Sequence, residues 1–406
     1  MDARATSANR VSLWPAFGLG LAVAVGNGLA RFSYALLLPA MRDDLGWNYV
    51  QAGWLNTANA LGYVAGAVTG YLLLRRLSPA QLFSVGLWLT LLSLPATGWS
   101  AHLAWLTGTR VLSGIGAAWV FSCGSALVAA RYQDDAHRRG IATGLFFAGA
   151  GLGIALSGIA VNPLLARLGA GGWPEAWLLL GLLAFLLSIW PLHEARHAQG
   201  AANTASSQPL PLRGLWAALL SYFVFAAGYI VYMTFILAWM SSQGWSWRMG
   251  LLVWLTLGVG VAISPFVWRP ALNRWPPALT LSASCLATLA GTAIPLVDAG
   301  AAGLVASAAV FGLGVFIAPS SIAVLVRQSM PAALWAKGMT LFTVVFAVGQ
   351  AIGPVAAGWI ADVTTLSRSL LFGLALLLAA ALLALIGSAP NGIRKRKPTT
   401  GPVGDT

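Results

Sequence analysis

The sequence predicts an all-α membrane protein with twelve transmembrane helices, arranged as two parallel six-helix pseudo-repeats. Three observations support this prediction: an apolar composition, apolar runs of about twenty residues along nearly the whole chain, and a match of one half with the other at a constant offset. Of the 406 residues, 58% are hydrophobic and 8% are charged, and the mean hydropathy is +0.79. A soluble domain carries about 25% charged residues, so this chain lacks the polar surface that water requires.

Each apolar run is long enough for one membrane span. The first run exceeds the apolar core of a signal peptide and no convincing cleavage site follows it, so we expect it to be retained. The twelve predicted spans are residues 13–39, 50–73, 79–99, 102–130, 140–166, 173–191, 213–240, 248–267, 277–297, 302–327, 338–361 and 367–388.

The basic residues indicate how the chain is oriented. Seventeen of the 23 Lys and Arg residues fall in segments on the side of the termini, four fall on the opposite side, and Arg31 and Arg110 lie within spans. Loops on the cytoplasmic side of a membrane carry an excess of Lys and Arg, so we expect both termini to be cytoplasmic in a multi-pass protein of the cell inner membrane. The net charge of +13 therefore indicates membrane orientation and not a nucleic-acid partner.

The two halves match when the sequence is shifted by 198 residues. The shift places Gly46-Trp47 on Gly244-Trp245 and Tyr34 on Tyr232, and it stays constant from the first to the fifth span of each half. Since it equals six spans, both halves have the same orientation. The predicted organisation is an N-terminal six-helix half at residues 1–191, a cytoplasmic linker at 192–212, and a C-terminal six-helix half at 213–406 with a basic cytoplasmic tail.

Residues suited to catalysis are not evident. The chain contains no credible nucleophile–base pair, no metal-ligand cluster and no Walker sequence, and its two cysteines both fall within spans. We therefore expect a protein that is not an enzyme and that needs no cofactor or metal.

Two glycine-rich stretches and one arginine motif resemble sequences of the major facilitator superfamily of secondary transporters. Arg110–Ala118 resembles the superfamily's fourth-helix motif, an arginine followed by a ladder of small residues. Gly349–Gly358 is similar to its glycine-proline motif, whereas Gly149–Gly158 lacks the proline. The loop after the second span keeps Arg75 and Arg76 but lacks the superfamily's usual aspartate. Within the superfamily, residues 26–67 resemble the YbfB/YjiJ-like group.

Small residues in these motifs allow two interpretations. They can let helices pack closely in lipid, and they can also form the surface along which the two halves slide during alternating access. The candidate residues for packing or gating are Gly114, Gly149, Gly153, Gly349, Gly353 and Pro354.

Arg31 is a permanent cation inside an apolar span, which costs about 3 kcal/mol on insertion scales. Arg110 lies at a similar depth, and no Asp or Glu falls in the middle of any span. The resemblance implies that helices one, four, seven and ten line an aqueous cavity, which would lower the cost of both cations. The predicted substrate-binding residues are Asn27, Arg31, Tyr34, Asn59, Arg110, Tyr229 and Tyr232, with Arg31 as the principal anchor.

Structural alternatives remain for both arginines. Arg31 could bind a helix-end carbonyl group, or it could reach Asp43 or Asp44. Arg110 could bind backbone carbonyl groups and so fix helix packing.

These observations predict a secondary active transporter that moves a small organic solute, an anion or carboxylate, across the inner membrane by alternating access. The alternatives are an efflux pump for amphipathic compounds and a non-transporting membrane receptor. The expected partners are the small-molecule substrate, a coupling ion such as H+ and the lipid bilayer, and we expect a monomer.

Overall fold

The computed structural model describes residues 12–198, 210, 214–331 and 334–386. These residues contain twelve long helices and no strand. The helices are α1 (Trp14–Leu45), α2 (Tyr49–Leu73), α3 (Pro79–Thr97), α4 (Leu103–Arg131), α5 (Ala136–Leu168), α6 (Trp173–Arg196), α7 (Trp216–Ser242), α8 (Trp247–Val267), α9 (Pro277–Val297), α10 (Ala301–Ser329), α11 (Trp335–Val363) and α12 (Leu366–Ile386).

These helices confirm the predicted all-α membrane fold, and most of their bounds lie within a few residues of the predicted spans. Helix α1 is an exception, because it continues through Pro39 to Leu45. Helix α6 continues to Arg196, so residues 192–196 are helical and not part of the linker as predicted. Residues 199–209 and 211–213 of that linker, and the basic tail after residue 386, lie outside the described residues.

Eleven of the twelve helices are long and apolar enough to cross a membrane, and α2 is the exception. Its mean hydropathy is lowered by buried polar side chains, among them Asn56, Thr57 and Asn59. Leu61, Val68 and Leu72 on the same helix are exposed at helical spacing. Helix α2 thus has an exposed apolar face and a polar face, and the polar face is buried in the helix bundle.

Helix α1 changes its winding in the middle. Residues Ala24–Phe32 form a π-helix, and the amide of Ser33 donates to the carbonyl of Gly28, five residues back, at 3.1 Å. A π-helical segment inserts an extra residue per turn and is frequent at functional sites. It also changes which residues share a face, so the regular helix expected for this span is wrong at this point.

The repeated Gly-Trp pair ends α1 and α7 by the same turn. Gly46 and Gly244 both have positive φ angles, 63° and 78°. The amides of Trp47 and Trp245 donate to the carbonyls of Arg42 and Met240, each five residues back. This is the Schellman end of a helix, which requires a left-handed residue and therefore favours glycine. The sequence match thus has a physical cause at this pair of positions.

Within each half, glycines bring helices to backbone contact. A Cβ atom added to Gly149 would lie 1.9 Å from the carbonyl oxygen of Gly20, and one on Gly153 would lie 2.2 Å from that of Ala24, so both glycines pack α5 against α1. In the second half, Gly349 and Gly353 pack α11 against α7 in the same way. These contacts favour the packing interpretation of the four glycines.

The glycine contacts predict a large difference between two substitutions in α5. Gly149→Ala should lower the melting temperature of the purified protein by several degrees, because the new Cβ meets backbone that cannot move aside; overpacking typically costs about 1–3 kcal/mol. Thermal unfolding in detergent, followed by tryptophan fluorescence, measures the effect.

Gly140→Ala is the matched control, since no atom lies within 4 Å of its added Cβ. It should leave the melting temperature unchanged or raise it slightly, because alanine favours helix more than glycine does. Equal melting temperatures for both variants would contradict the packing role of Gly149.

Candidate functional site

A cavity lies between the two halves. Together with the part that is open to solvent, the space that protein atoms leave free there is about 500 Å³. Six helices contribute to its walls: α1, α2, α4, α7, α10 and α11. The four helices implied by the superfamily resemblance are among them. The lining residues are Asn27, Arg31, Phe32, Tyr63, Phe121, Tyr222, Tyr229, Val315, Phe316, Pro319, Thr343, Phe346 and Gln350.

Breaks in two helices shape this cavity. The π-helical segment of α1 carries Asn27, Arg31 and Phe32. Helix α10 is interrupted at Phe316, just ahead of Pro319, whose missing amide cannot continue the hydrogen-bond ladder. The rings of Phe32 and Phe316 meet edge to face at 6.0 Å between centroids. Both irregular segments therefore face the same space, where irregular backbone is tolerated in a membrane protein.

Arg31 is the one charged residue among the described residues that line the cavity. Its side chain is 4% exposed. One terminal nitrogen of the guanidinium group donates to Oε1 of Gln350, and the carbon at its centre lies 5.1 Å from the ring centroid of Tyr63. Among the residues that the structure describes, Nε of Arg31 has no hydrogen-bond partner, and neither does Oδ1 of Asn27. The cation is thus held by neutral groups and retains donor capacity.

Gln350 joins three helices at this point. Its carbonyl oxygen accepts from Arg31 of α1, and its amide nitrogen donates to the hydroxyl group of Tyr229 on α7. The oxygen and the nitrogen of this amide group therefore form one chain of polar contacts from the first half to the second. An amide can hold an arginine in this way without neutralising its charge.

The acids considered as alternative partners of Arg31 have other contacts. Asp44 accepts a hydrogen bond from the indole nitrogen of Trp173 at 2.8 Å, and Asp43 forms an ion pair with Arg42 at 3.4 Å. Among the described residues, no carboxylate forms an ion pair with Arg31 or Arg110.

Arg110 lies outside the cavity wall, in the packing of the first half. It is 1% exposed, and its guanidinium group donates to the backbone carbonyls of Ala30 and Arg31. The rings of Tyr34 and Trp177 lie on it at 5.4 and 5.3 Å. These carbonyls lie where α1 returns from π-helical to α-helical winding, and such irregular backbone leaves acceptors that need donors. The geometry favours the structural alternative for Arg110.

The structure places three other predicted binding residues outside the cavity as well. The hydroxyl group of Tyr34 donates to the carbonyl of Ala52 at 2.6 Å. Asn59 donates to the carbonyl of Arg110 and to the hydroxyl group of Ser113. Tyr232 shares a 2.7 Å hydrogen bond with Ser307, and its ring stacks on Phe311. Asn27, Arg31 and Tyr34 are spaced four and three residues apart, as on one face of a regular α-helix, but the π-helical winding turns Tyr34 away from the other two.

Asn27, Arg31 and Tyr229 are the predicted binding residues that the structure brings together. Sequence reasoning missed Gln350, Phe346 and Thr343, which lie three and four residues apart on one face of α11. A polar residue in the middle of a span was the available signal for Gln350. Gln350 lies within the glycine-proline motif, whose glycines indicate helix packing and do not indicate a binding role for their neighbour.

One set of contacts between the halves lies away from the cavity, toward the end of the bundle opposite the termini, here called the far end. The hydroxyl group of Thr57 donates to the carbonyl of Ala351 at 2.7 Å, and Asn56 donates to the hydroxyl group of Thr234 at 2.6 Å. A Cβ added to Gly53 would lie 2.6 Å from the carbonyl oxygen of Pro354. Pro354 therefore contacts the opposite half, unlike the predicted packing glycines. The far end is closed along α2 and α11.

Gly114 belongs to the first half's packing. A Cβ added there would lie 2.1 Å from the carbonyl oxygen of Asn59, so this glycine sets the close contact between α4 and α2.

A carboxylate completes the closure of the far end. The two side-chain oxygens of Asp362, at the end of α11, accept from the backbone amides of Tyr49 and Val50 at 2.8 and 2.9 Å. These amides begin α2, where the helix has free donors and a partial positive charge. Asp362 of the second half thus caps a helix of the first half.

The fold is shared with solved structures of membrane transporters. The chain is similar to a bacterial homologue of the human lysosomal transporter Spinster in an inward-facing and unoccupied conformation (16% identity, TM-score 0.68, 92% of this chain and 96% of that chain). It is also similar to a mutant of the nucleoside transporter NupG (12% identity, TM-score 0.69, 92% of this chain and 99% of that chain). A third similar structure is the human organic anion transporter MFSD10 (14% identity, TM-score 0.64, 91% of this chain and 99% of that chain).

At sequence identities this low, the structural similarity shows the shared fold and nothing more. The family comes from the sequence: residues 11–388 match the family described as uncharacterised MFS-type transporter YbfB, and the chain belongs to it. This confirms both the superfamily and the group that the motifs resembled. A search of curated proteins found no match.

The cap by Asp362 predicts that this carboxylate stabilises the closed far end. Asp362→Asn should shift the equilibrium toward an open far end by about fivefold, since a carboxylate at an exposed helix N-terminus contributes about 1 kcal/mol. Spin labels on cysteines at Leu168 and Val297, in a background without Cys123 and Cys285, would report a larger population of long distances.

Asp135→Asn provides the matched control. Asp135 also accepts from a helix-starting amide, that of Arg138, but within its own half. The same distance distribution in the Asp362→Asn variant and the unsubstituted protein would refute the role of the cap.

Proposed function

We propose that the protein is a secondary active transporter that moves a small organic anion, a carboxylate, across the inner membrane of a bacterium by alternating access, with Arg31 as the principal anchor. The observation that carries this proposal is one permanent cation in the cavity wall without a carboxylate partner among the described residues. The shared fold does not choose the substrate, because its solved examples include a nucleoside transporter and an organic anion transporter.

Electrostatics supports an anionic substrate. A charge kept away from bulk water costs several kcal/mol unless it is paired, and Gln350 supplies only a neutral dipole. A carboxylate that replaced the Gln350 oxygen would form charge-assisted hydrogen bonds with the guanidinium fork. A cationic substrate would meet repulsion from Arg31 and find no acid. Asn27 and Tyr229 add polar groups next to the same cation.

The positions of the cavity and of the closed far end support alternating access. Tyr222, Phe121 and Thr343 lie in the parts of α7, α4 and α11 nearest to the termini, so the cavity extends from Arg31 toward that end. With the termini in the cytoplasm, as the Lys and Arg distribution favours, the cavity faces the cytoplasm. Opening of the contacts along α2 and α11 would then expose Arg31 to the other side.

H+ is our candidate for the coupling ion. No Asp or Glu lies in the middle of any span, so the chain lacks the usual carboxylate proton carrier. An H+ that crosses with the anionic substrate would therefore have to bind to a group other than a mid-span acid of the protein. We propose that the protein works as a monomer, because each chain supplies a complete cavity between its own two halves.

Efflux of amphipathic compounds is the second candidate, and the aromatic residues of the cavity favour it. The two functions differ in their dependence on charge. An efflux pump for amphipathic compounds would bind neutral and cationic drugs at least as well as carboxylates, and an anion transporter would not.

Arg31→Lys and Arg31→Gln should both reduce the affinity for a carboxylate by roughly 30-fold or more, since loss of a buried charge-assisted pair costs about 2–5 kcal/mol. Lysine fails as well because a point charge on a flexible stem cannot reproduce the guanidinium fork. Calorimetric titration of carboxylates into purified protein, with uptake by proteoliposomes, measures both binding and transport.

Arg248→Lys is the control, because Arg248 is exposed at the far end and lies beside Trp247. Each variant must be monodisperse and must keep the melting temperature of the unsubstituted protein, so that loss of binding is distinguished from loss of folding. Carboxylate affinity close to that of the unsubstituted protein in both folded Arg31 variants would defeat the proposal.

A further inference from the structure

We infer that the substrate is a carboxylate that carries a planar aromatic ring, and this inference rests on the proposed function. Seven of the thirteen residues that line the cavity are aromatic, whereas aromatic residues make up 11% of the chain. The apolar remainder of the wall is Val315 and Pro319. Among the described residues, no leucine, isoleucine or methionine lines this cavity, although leucine is abundant in the neighbouring core.

The rings on one wall are already aligned. Tyr222 and Phe346 stack at 4.5 Å between centroids, and Phe346 and Tyr229 lie at 5.7 Å. The interplanar angles of these two pairs are 26° and 18°, so the three rings are nearly parallel. A planar ring that enters beside them could extend this arrangement by an offset or edge-to-face contact.

The charge and the rings are separated by a distance that suits one small molecule. Gln350, which holds Arg31, lies four residues from Phe346 on α11, which is about 6 Å along the helix. Tyr229, its other partner, lies seven residues from Tyr222 on α7, or about 10 Å. A carboxylate bound to Arg31 would therefore hold an attached ring at the level of Phe346 and Tyr222.

Aromatic side chains reach the cavity from other helices as well. Phe32, Phe121 and Phe316 also line it, so rings face the cavity from α1, α4 and α10 as well as from α7 and α11. Stacking is stronger than burial of an equal aliphatic area, and this gives a measurable preference.

The test compares benzoate with cyclohexanecarboxylate, which has the same charge and a similar size but no aromatic ring. Titration into the full-length protein in nanodiscs should show three- to tenfold tighter binding of benzoate. Phe346→Leu should remove most of this preference, because it should weaken benzoate binding more than cyclohexanecarboxylate binding. Phe185→Leu, on the lipid-exposed face of α6, should change neither affinity.

Two further probes separate the inference from the proposed function. Benzamide has the ring without the charge, and acetate has the charge without the ring. If both carboxylates bind with equal affinity, or if acetate binds as tightly as benzoate, the aromatic inference is overturned and the anion proposal stands. If benzamide binds as tightly as benzoate, the anion proposal is overturned, and the inference of an aromatic carboxylate falls with it.

Discussion

The contact of Arg31 with Gln350 is the interaction on which the functional site depends. It places a permanent positive charge in the wall of a cavity between the two halves and holds that charge by a neutral amide. The same amide binds Tyr229, so one side chain links α1, α11 and α7. A neutral partner satisfies one donor of the guanidinium group but leaves its charge uncompensated, and this is the state in which an incoming anion gains most.

The surrounding structure keeps this cation in position. The π-helical segment of α1 turns Arg31 into the cavity, and Arg110 stabilises the end of that segment by binding its carbonyl groups. Gly149 and Gly153 also pack the backbone of α5 closely against α1, next to the π-helical segment and just before it. Two arginines at one level of the bundle thus have different tasks, one in the cavity and one in the backbone packing beneath it.

The sequence predicts the helices, their order and the family well, because apolar length, the Gly-Trp helix ends and the glycine motifs are local signals. The position of Arg31 in a cavity wall was also predictable, since a cation in an apolar span needs a polar environment. The direction in which Tyr34 points was not predictable, because no residue pattern in this span indicates π-helical winding. Gln350 and Phe346 belong to the site only through contacts between distant helices, and a single sequence does not record which faces meet.

Replacement of Gln350 by glutamate tests the central claim most directly, because it supplies the cation with an internal anion. In Gln350→Glu the new carboxylate should pair with Arg31 and compete with the substrate, lowering benzoate affinity by roughly 30-fold or more, while the protein stays folded. Gln350→Met, which removes the same contacts without adding charge, should lower it much less. Benzoate binding by Gln350→Glu within about threefold of the unsubstituted protein would contradict the assignment of Arg31 as the anion site.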